Sequence, residues 1–465
     1  MLFNSLIFLV FLPIVFTTYW LIPSKHRNLF LLIASYYFYF SYNPWFLLLL
    51  IGTSGLDFYL AKAISNTQEQ TKRKSLLILS IISNIGVLFI FKYFVFFYNS
   101  SLSLLSNNPQ LLSNFIIPAG LSFYTFQSIS YTIDIYRNKY KADDTLKDFL
   151  LYVSFFPHMV AGPIVRHHTL MPQLKTIHFF KDIEWVNASK LIIWGYFKKM
   201  VIADNIALIV NLVFNDLPND FNSIEFIIIG ILFLIQLYAD FSGYSDIAIG
   251  VAKLFKIDLS LNWKRPLLSK SVTEYWQRHH ISLTSWFKEY IYISIGGNRV
   301  STPKWVFNIL IVFLLSGLWH GANFTFIIWG LLNGLFYLLE HLPIKIKLPN
   351  FLKWIYTLFF ISVFFIAFRA NNIHDLAYIY QQIFTHFNFT NGLHHLLALN
   401  DRLFLAVFAF VLIILFVKEI QEEYILIKSS DFKKNILTPV FYITILSLIF
   451  CLGNFNANSF IYFQF

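Results

Sequence analysis

Residues 313–329 read FLLSGLWHGANFTFIIW, two apolar runs that enclose one ionisable side chain, His320. Each run continues far enough along the chain to predict a membrane helix, so the transmembrane helix is the building unit of the fold. An ionisable group at membrane depth is costly unless it has partners or a polar cavity, and it therefore indicates a functional site. The alternative interpretation is a buried histidine that only hydrogen-bonds to a neighbouring helix.

Composition extends the membrane interpretation to the whole chain. Of its 465 residues, 57% are hydrophobic and 13% are charged, and the mean hydropathy is +0.62; an ordinary soluble domain has roughly 25% charged residues. No polar stretch is long enough to hold its own core, so residues 1–465 are predicted to form a single all-α, polytopic membrane domain. There is one cysteine, Cys451, and no Cys and His cluster has metal-ligand spacing. We therefore expect neither a disulfide framework nor a metal.

About twelve stretches are apolar over a length suited to crossing a membrane. The first, 2–22, is predicted to be a span because it lacks the basic region and small-residue cleavage site of a signal peptide. Stretches 149–165 and 279–297 are interrupted by Pro, Gly or polar residues and are predicted to be re-entrant or interfacial. The predicted spans lie near residues 2–22, 28–42, 45–64, 75–98, 114–136, 189–214, 224–252, 304–319, 323–341, 354–370, 403–417 and 436–453.

The basic residues alternate between the two sides of these predicted spans. Seven connections hold 30 of the 35 Lys and Arg, and the intervening connections hold only Arg402. The positive-inside rule then places both termini outside the cytoplasm. Nucleic-acid binding is disfavoured, because the charge is spread over separate loops and forms no basic face. The basic connections are 23–28, 62–75, 137–148, 166–190, 253–304, 343–353 and 418–434.

The longest cytoplasmic segment, residues 253–304, interleaves Trp and Tyr with Lys and Arg. This pattern is typical of an interfacial anchor in the headgroup layer. It also suits a phosphorylated, adenine-bearing donor such as a coenzyme A thioester, because Lys and Arg pair with phosphates. Lys264, Arg265 and Arg278 are therefore candidate donor-binding residues. Arg166, in another basic connection, is a further candidate and could equally be an anchor.

Three long motifs carry a family resemblance. Residues 275–292, the stretch SGLWHGANFTFIIWG at 316–330 and the stretch LYADFSGYSDIAIG at 237–250 resemble the membrane-bound O-acyltransferases. The nearest branch is the bacterial one that includes proteins of alginate and peptidoglycan O-acetylation. Residues 19–42, 160–174 and 460–465 fit the same branch. The resemblance implies about 11 to 12 membrane helices, with re-entrant or interfacial helices, around a central cavity.

The same resemblance implies a role for two histidines. His320 matches the catalytic histidine of the family, and His280 matches its second characteristic polar position. The residue before His280 is His279, where the family often has an aromatic residue, so either neighbour could be the functional one. The HISL sequence that begins at His280 favours His280.

The chemistry expected of His320 follows from acyl transfer itself. A hydroxyl that attacks a thioester must lose its proton, and a neutral imidazole can accept it. Burial disfavours the charged imidazolium, so His320 is expected to be neutral. The oxyanion needs donors, and Trp319 and Asn323 flank the histidine. Asp240 and Asp246 lie within a predicted span, where they either orient an imidazole or bond to other helices.

The C-terminal tail, residues 454–465, is predicted to be extracytoplasmic and ends in FIYFQF. One interpretation is an aromatic anchor at the outer interface. A sharper hypothesis is that Tyr462 receives the acetyl group as a transient ester and passes it to an extracytoplasmic transferase. A similar terminal tyrosine motif occurs in partner peptides of the related teichoic acid D-alanylation system.

The sequence therefore predicts an O-acetyltransferase of the bacterial inner membrane. It would take acetyl from a cytoplasmic thioester, acetyl-CoA, for O-acetylation of an envelope polysaccharide such as an alginate-like polymer or peptidoglycan. Expected partners are membrane lipid, the donor, an extracytoplasmic acetyltransferase and the polysaccharide, with no bound cofactor and no nucleic acid. The alternatives are D-alanyl transfer from an acylated carrier protein and an acyl or lipid transporter, although the chain has no evident inverted repeat.

Overall fold

The computed structural model of the chain describes residues 1–105, 112–113, 115–160, 162–218, 221–342, 347–385, 396–397, 402–424, 431–455 and 460–461. All regular secondary structure in these ranges is helical, which confirms the predicted all-α class. The chain divides into two compact units. The first comprises Met1–Ile192 and Ser245–Leu261, and the second comprises Ile193–Tyr244 and Asn262–Phe465. The prediction of a single membrane domain stays a prediction.

The helices up to the first unit boundary are short or interrupted in several places. Asn43 caps one of the long helices, because its Oδ1 accepts a hydrogen bond from the Trp45 N–H at 3.0 Å. The bounds are α1 Leu6–Leu21, α2 Ser24–Phe40, α3 Pro44–Asn66, α4 Gln70–Leu88, a π-helical turn Phe89–Tyr93, α5 Phe94–Leu105, α6 Leu121–Tyr136, α7 Leu146–Ser154, α8 Phe156–Met159, α9 His167–Lys175, a 3₁₀ turn Phe180–Asp182 and α10 Trp185–Tyr196.

The remaining helices begin with a π-helical segment and include the longest helix, α12. The bounds are a π-helix Phe197–Ala203, α11 Asp204–Asn215, α12 Ser223–Leu254, a 3₁₀ turn Pro266–Leu268, α13 Val272–Arg278, α14 Ile281–Trp286, a π-helix Phe287–Tyr292, α15 Thr302–His320, α16 Phe324–Glu340, α17 Asn350–Arg369, α18 Ile373–Thr385, α19 Arg402–Tyr424 and α20 Asp431–Leu452.

Five described helical segments are long and apolar enough to cross a membrane, and three shorter ones are apolar. The five are Pro44–Asn66, Gln70–Ser103, Ser223–Leu254, Thr302–His320 and Asn350–Arg369. Each overlaps a predicted span. The protein is therefore an all-α polytopic membrane protein, as its sequence predicts.

Two sequence predictions differ from the structure. The span predicted from residue 114 becomes helical only at Leu121, because Gly120 adopts a left-handed conformation with φ of 70° and caps the helix. The predicted connection 371–402 contains the helix α18, whose residues Leu376, Ile379 and Ile383 form a buried stripe at helical spacing. The stripe is too short and too amphipathic to register as a membrane span.

The interruption predicted within 149–165 is confirmed. The helix α7 ends at Ser154, and the four-residue helix α8 follows from Phe156 to Met159, with Pro157 in its first turn. Pro lacks the N–H that a continuing helix would need, and it restricts the residue before it. The chain therefore changes direction here instead of crossing the membrane as one straight helix.

Close packing of α15 against α16 positions the turn beside His320. A Cβ on Gly317 would overlap the Phe326 carbonyl, and a Cβ on Gly330 would overlap the Phe313 carbonyl. Small residues of this kind let membrane helices approach closely. The two helices therefore form a tight antiparallel hairpin, with His320 as the last residue of the first arm.

Candidate functional site

His320 is enclosed by aromatic rings from three helices of the second unit. Its side chain is almost fully buried, with 3% of the residue exposed. The imidazole centroid lies 4.9 Å from Trp319, 5.1 Å from Trp329 and 5.1 Å from Phe368. The sequence prediction of a histidine in an apolar surround thus matches the geometry.

His280 occupies a strained backbone position at the start of α14. Its φ of 46° lies in the left-handed region, which a non-glycine residue adopts only when its surroundings hold it there. Asn262 supplies that support. Its backbone carbonyl accepts from the Ile281 N–H at 2.8 Å, and its Oδ1 accepts from the Ser282 N–H at 3.1 Å and the Ser282 hydroxyl at 2.9 Å. Asn262 therefore holds the backbone that directly follows His280.

The His280 ring reaches the aromatic shell of His320. It lies 6.1 Å from Trp319, whose indole also contacts His320. On its other side it packs edge-on against Phe241 at 4.6 Å. Trp319 therefore links the two histidines through aromatic contacts.

His279 belongs to the same aromatic cluster, but its ring contacts other residues. Its ring stacks on Tyr275 at 4.8 Å and contacts Trp276 at 5.2 Å and Phe365 at 5.9 Å. Trp276 and Phe365 both contact Trp329, at 5.6 and 5.4 Å. His279 and His280 therefore reach the rings around His320 through different neighbours, and both contact Trp263, at 4.5 and 5.8 Å.

Burial changes the acid-base behaviour of both neighbouring histidines, which lie outside the predicted spans. It lowers the pKa of His280 to about 3. Burial, with a smaller contribution from His280, holds the pKa of His279 well below its ordinary value. Both imidazoles are therefore neutral at physiological pH.

Asp240 anchors the C-terminal tail. One of its carboxylate oxygens lies 2.6 Å from the Lys199 ammonium, and the other accepts the Ile461 backbone N–H at 2.8 Å. Lys199 also pairs with Asp204 at 2.8 Å, and all three charged side chains are buried. The predicted alternatives for Asp240 were an imidazole partner and bonds to other helices; the structure shows a bond to another helix, through Lys199, and a further bond to the tail.

The residue before the anchored amide packs into the aromatic cluster. Phe460 is 1% exposed, and its ring lies 5.2 Å from both Phe241 and Tyr244. Because Phe241 also contacts His280, a single ring separates the tail from that histidine. Tyr462, the predicted acyl carrier, lies outside the described residues.

Three other predicted residues have mixed positions. Trp319 is buried between the rings of His280 and His320. Asn323 caps α16 by accepting from the Thr325 N–H at 3.1 Å, and its amide donates to the Asn371 carbonyl at 2.8 Å. Asp246 is half-buried in the part of α12 that belongs to the first unit.

The predicted donor-binding residues do not form one group. Arg265 and Arg278 both pair with Glu423, at 2.7 and 2.8 Å, whereas Lys264 is exposed. Arg166 belongs to the first unit, where it is half-buried at the start of α9. The structure therefore brings two arginines together through a shared carboxylate. Within the described ranges, no three His, Cys, Asp or Glu side chains come together as a metal site requires.

Sequence reasoning missed the two buried lysines that help to build this region. The π-helix Phe197–Ala203 presents Lys198 to the Ser242 hydroxyl at 2.9 Å and Lys199 to Asp240. A π-helical segment widens the turn and often accompanies a functional site. Two adjacent cations inside the predicted span 189–214 were the signal that could have revealed them.

Known membrane acyltransferases resemble this chain over most of its length. Residues 143–380 match the model of the membrane-bound O-acyltransferase family. A relative from Pseudomonas aeruginosa, named "Probable alginate O-acetylase AlgI", is 37% identical over 394 residues, which cover 83% of this chain and 75% of the relative. The peptidoglycan O-acetyltransferase of Helicobacter pylori is 35% identical over 417 residues, covering 81% and 78%.

A weaker similarity extends to the D-alanylation enzymes. The teichoic acid D-alanyltransferase of Bacillus subtilis is 27% identical over 236 residues, which cover 48% of this chain and 58% of that protein. This match spans only about half of the chain. The O-acetylating relatives are thus similar over a larger part of the sequence and at higher identity.

Proposed function

The chain belongs to the membrane-bound O-acyltransferase family, and on that premise we propose that it moves acetyl from cytoplasmic acetyl-CoA across the membrane for O-acetylation of an envelope polysaccharide. An alginate-like polymer or peptidoglycan is the acceptor class that the names of its O-acetylating relatives support. The enzyme would act in the bacterial inner membrane with both termini extracytoplasmic, as its basic connections predict. An extracytoplasmic acetyltransferase would complete the transfer.

The observation that carries this proposal is the continuous series of ring contacts from His320 to the tail. It runs from His320 through Trp319 to His280, and on through Phe241 to Phe460. All five residues are buried in the second unit. A water-poor site of this kind favours acyl transfer to a bound hydroxyl over hydrolysis of the thioester.

In the proposed reaction, a hydroxyl oxygen attacks the thioester carbonyl while the His320 imidazole takes the hydroxyl proton. This attack forms the C–O bond of a tetrahedral intermediate, which collapses with cleavage of the C–S bond to give the ester. The departing thiolate recovers the proton from His320. His280 and Trp319 are proposed to hold the reacting groups in place, because they line the same side of the aromatic shell.

Tyr462 is the hydroxyl that we propose as first acceptor. Its neighbour Ile461 is held by Asp240, and Phe460 is buried against Phe241. This tether supports a reaction at the tail, because it limits how far the next residue can be from the cluster: consecutive Cα atoms are about 3.8 Å apart. The acetyl ester on Tyr462 would then pass to the extracytoplasmic transferase.

The donor would be bound through its phosphates by Lys264, Arg265 and Arg278, and Arg166 stays a separate candidate in the first unit. Lys264 is exposed and therefore accessible to an anion. Arg265 and Arg278 already pair with Glu423, so a phosphate that bound them would compete with a carboxylate. Lys264 is consequently expected to contribute more per residue to donor affinity than either arginine.

A reconstituted assay tests the proposal. Purified protein in lipid vesicles is given radiolabelled acetyl-CoA or a D-alanyl carrier protein, and label on the protein and free thiol are measured. We expect acetyl-CoA to label the wild type and Tyr462→Phe to abolish the label, with acetyl-tyrosine found by mass spectrometry. Tyr59→Phe is the matched control, because Tyr59 is exposed on α3.

Each other outcome has a definite meaning. Label from the D-alanyl carrier alone would replace acetyl transfer by the chemistry of the D-alanylating relatives. Absence of thiol release with both donors would favour a transporter. Full labelling of Tyr462→Phe would exclude the tail tyrosine and leave the acetyltransferase activity intact.

A further inference from the structure

Arg369 ends the helix α17 with its guanidinium surrounded by side-chain amides. It donates to Asn371 Oδ1 at 3.1 Å, to Asn211 Oδ1 at 3.0 Å and to Asn215 Oδ1 at 3.5 Å. The guanidinium carbon also lies 4.9 Å from the centre of the Phe214 ring. These contacts fix the orientation of a side chain that is otherwise flexible.

The charge of Arg369 is not compensated by these contacts. All three hydrogen-bond acceptors are neutral amide oxygens, and no carboxylate of the described residues forms an ion pair with it. Three of its five N–H groups are occupied, which leaves donors for a ligand. A partly buried arginine with a fixed orientation and no carboxylate partner in the described part of the chain is suited to binding an anion.

Arg369 is also next to the catalytic region. The preceding residue, Phe368, contacts the His320 ring at 5.1 Å. Asn371 accepts the Asn323 amide through its carbonyl at 2.8 Å and donates to the Phe214 carbonyl at 2.9 Å. The amide cluster therefore lies at the end of the α15–α16 turn that contains His320.

The cluster is partly exposed. Arg369 and Asn211 are half-buried, whereas Asn215 and Asn371 are exposed. A ligand can therefore reach the guanidinium past the two exposed amides. Under the predicted topology this ligand comes from outside the cytoplasm, where the polysaccharide is.

We propose that Arg369, with Asn211, Asn215 and Asn371, is a subsite for the carboxylate of an acidic sugar in the acceptor polymer. The guanidinium would donate its remaining N–H groups to the carboxylate, and the exposed amides would bond to sugar hydroxyls. This inference rests on the proposed function, because it gives the acceptor polymer a binding place near His320. An acidic peptide of a partner protein is the competing ligand, but it lacks the hydroxyl groups that the asparagine amides would bind.

Binding of a uronic acid hexamer to the purified full-length protein tests the subsite. We expect Arg369→Gln to weaken binding about tenfold or more, since a charge-assisted contact is lost. Arg299→Gln is the matched control, because it removes an exposed arginine elsewhere in the same unit. A neutral glucose hexamer should bind weakly to every variant.

Two further variants and a second acidic ligand complete the test. If Arg369→Gln does not fold, Arg369→Lys and Asn215→Ala replace it, with an expected loss of about fivefold each, less than for the full charge removal. Unchanged hexamer affinity in the folded variants would overturn the subsite. Equal affinity for hexaglutamate would overturn the assignment to a sugar.

The two proposals can fail separately. Hexamer binding that depends on Arg369, in a protein that transfers no acetyl from any donor, would refute the function and keep the subsite. Acetyl labelling of the wild type, together with hexamer binding that does not depend on Arg369, would support the function and refute the subsite.

Discussion

The arginines of the second unit occupy two contrasting environments. Arg265 and Arg278 share the carboxylate of Glu423, and Arg278 also pairs with Glu274 at 2.6 Å. Among the described residues, the hydrogen-bond partners of Arg369 are all amide oxygens. The first environment neutralises the cations and joins the segment before α14 to the end of α19. The second orients a cation without a carboxylate among the described residues, so an anion that binds Arg369 would displace no carboxylate of these residues.

The largest expected effect comes from substitution of His320, the histidine near Arg369. His320→Ala should lower acetyl transfer by at least about a hundredfold, which is the contribution of a general base. Label transfer from acetyl-CoA measures it in vesicles that contain equal amounts of folded protein. His374→Ala, which removes an exposed histidine of α18, should retain activity. Substantial transfer by the His320 variant would contradict its role and remove the chemical reason for an acceptor subsite at Arg369.

The next largest effect is expected for Lys199, a buried cation whose charge is balanced by two buried carboxylates. Lys199→Met should destabilise the protein by about 3–5 kcal/mol, because it leaves the Asp240 and Asp204 carboxylates buried without their cation. The loss is measured as a lower Tm in detergent. Lys190→Met removes another lysine near the same segment and should shift the Tm little. Equal shifts would show that the buried triad contributes nothing special.

The paired arginines themselves are tested by Glu423→Gln. Loss of the shared carboxylate should cost about 1–3 kcal/mol, because hydrogen bonds to charged groups are weakened at two partners. Glu422→Gln is the matched control, since the Glu422 side chain is 47% exposed, against 13% for Glu423, and lies 3.4 Å from Arg265. An equal effect of the two substitutions would show that burial does not distinguish the pairs.

Glu423→Gln also tests whether an arginine without its carboxylate partner binds an anion more readily, as is proposed for Arg369. The freed Arg265 and Arg278 should then bind the phosphates of the donor more readily, which lowers the KM for acetyl-CoA. A titration of initial rate against acetyl-CoA measures this, with Lys264→Gln expected to raise the KM instead. An unchanged KM in both variants would show that neither charge group meets the donor.

The smallest expected effect is a dependence of stability on pH. Burial lowers the folded-state pKa of His280 to about 3 from an ordinary 6.5, so the unfolded chain binds the proton more readily. Stability should therefore fall as the pH drops below about 6.5, by roughly 1 kcal/mol per pH unit for this histidine. The Tm of wild type and His280→Gln at pH 7.5 and 5.5 measures the difference. The same pH response in both would contradict a buried neutral imidazole.

The membrane class and the central histidine were predictable because they depend on local sequence. Residues 313–329 combine a hydrophobic length that suits a bilayer with one imidazole, and neither feature depends on distant residues. The division of the hairpin at residues 321–323 was equally local, because Gly321 and Asn323 provide a turn and a cap. The helix α18 was missed because its apolar stripe is short and its other face is polar.

The partners of charged side chains were not predictable in the same way. Asp240 and Ile461 are 221 residues apart, and Arg278 and Glu423 are 145 residues apart. Sequence spacing carries no information about such contacts unless the residues share one helix face. The prediction that Asp240 bonds within the protein was correct in kind, while its actual partners, a lysine and a backbone amide, required the fold.

The sequence by itself determined the all-α membrane class, the family and the position of His320, because hydrophobic length and contiguous motifs are properties of neighbouring residues. Only the tertiary structure decided which cations are neutralised and which remain available. Lys199 and Arg278 meet carboxylates, and Arg369 meets amides. Ionic partners act over a few ångströms in space, and only the packing of helices brings residues so distant in sequence within that range.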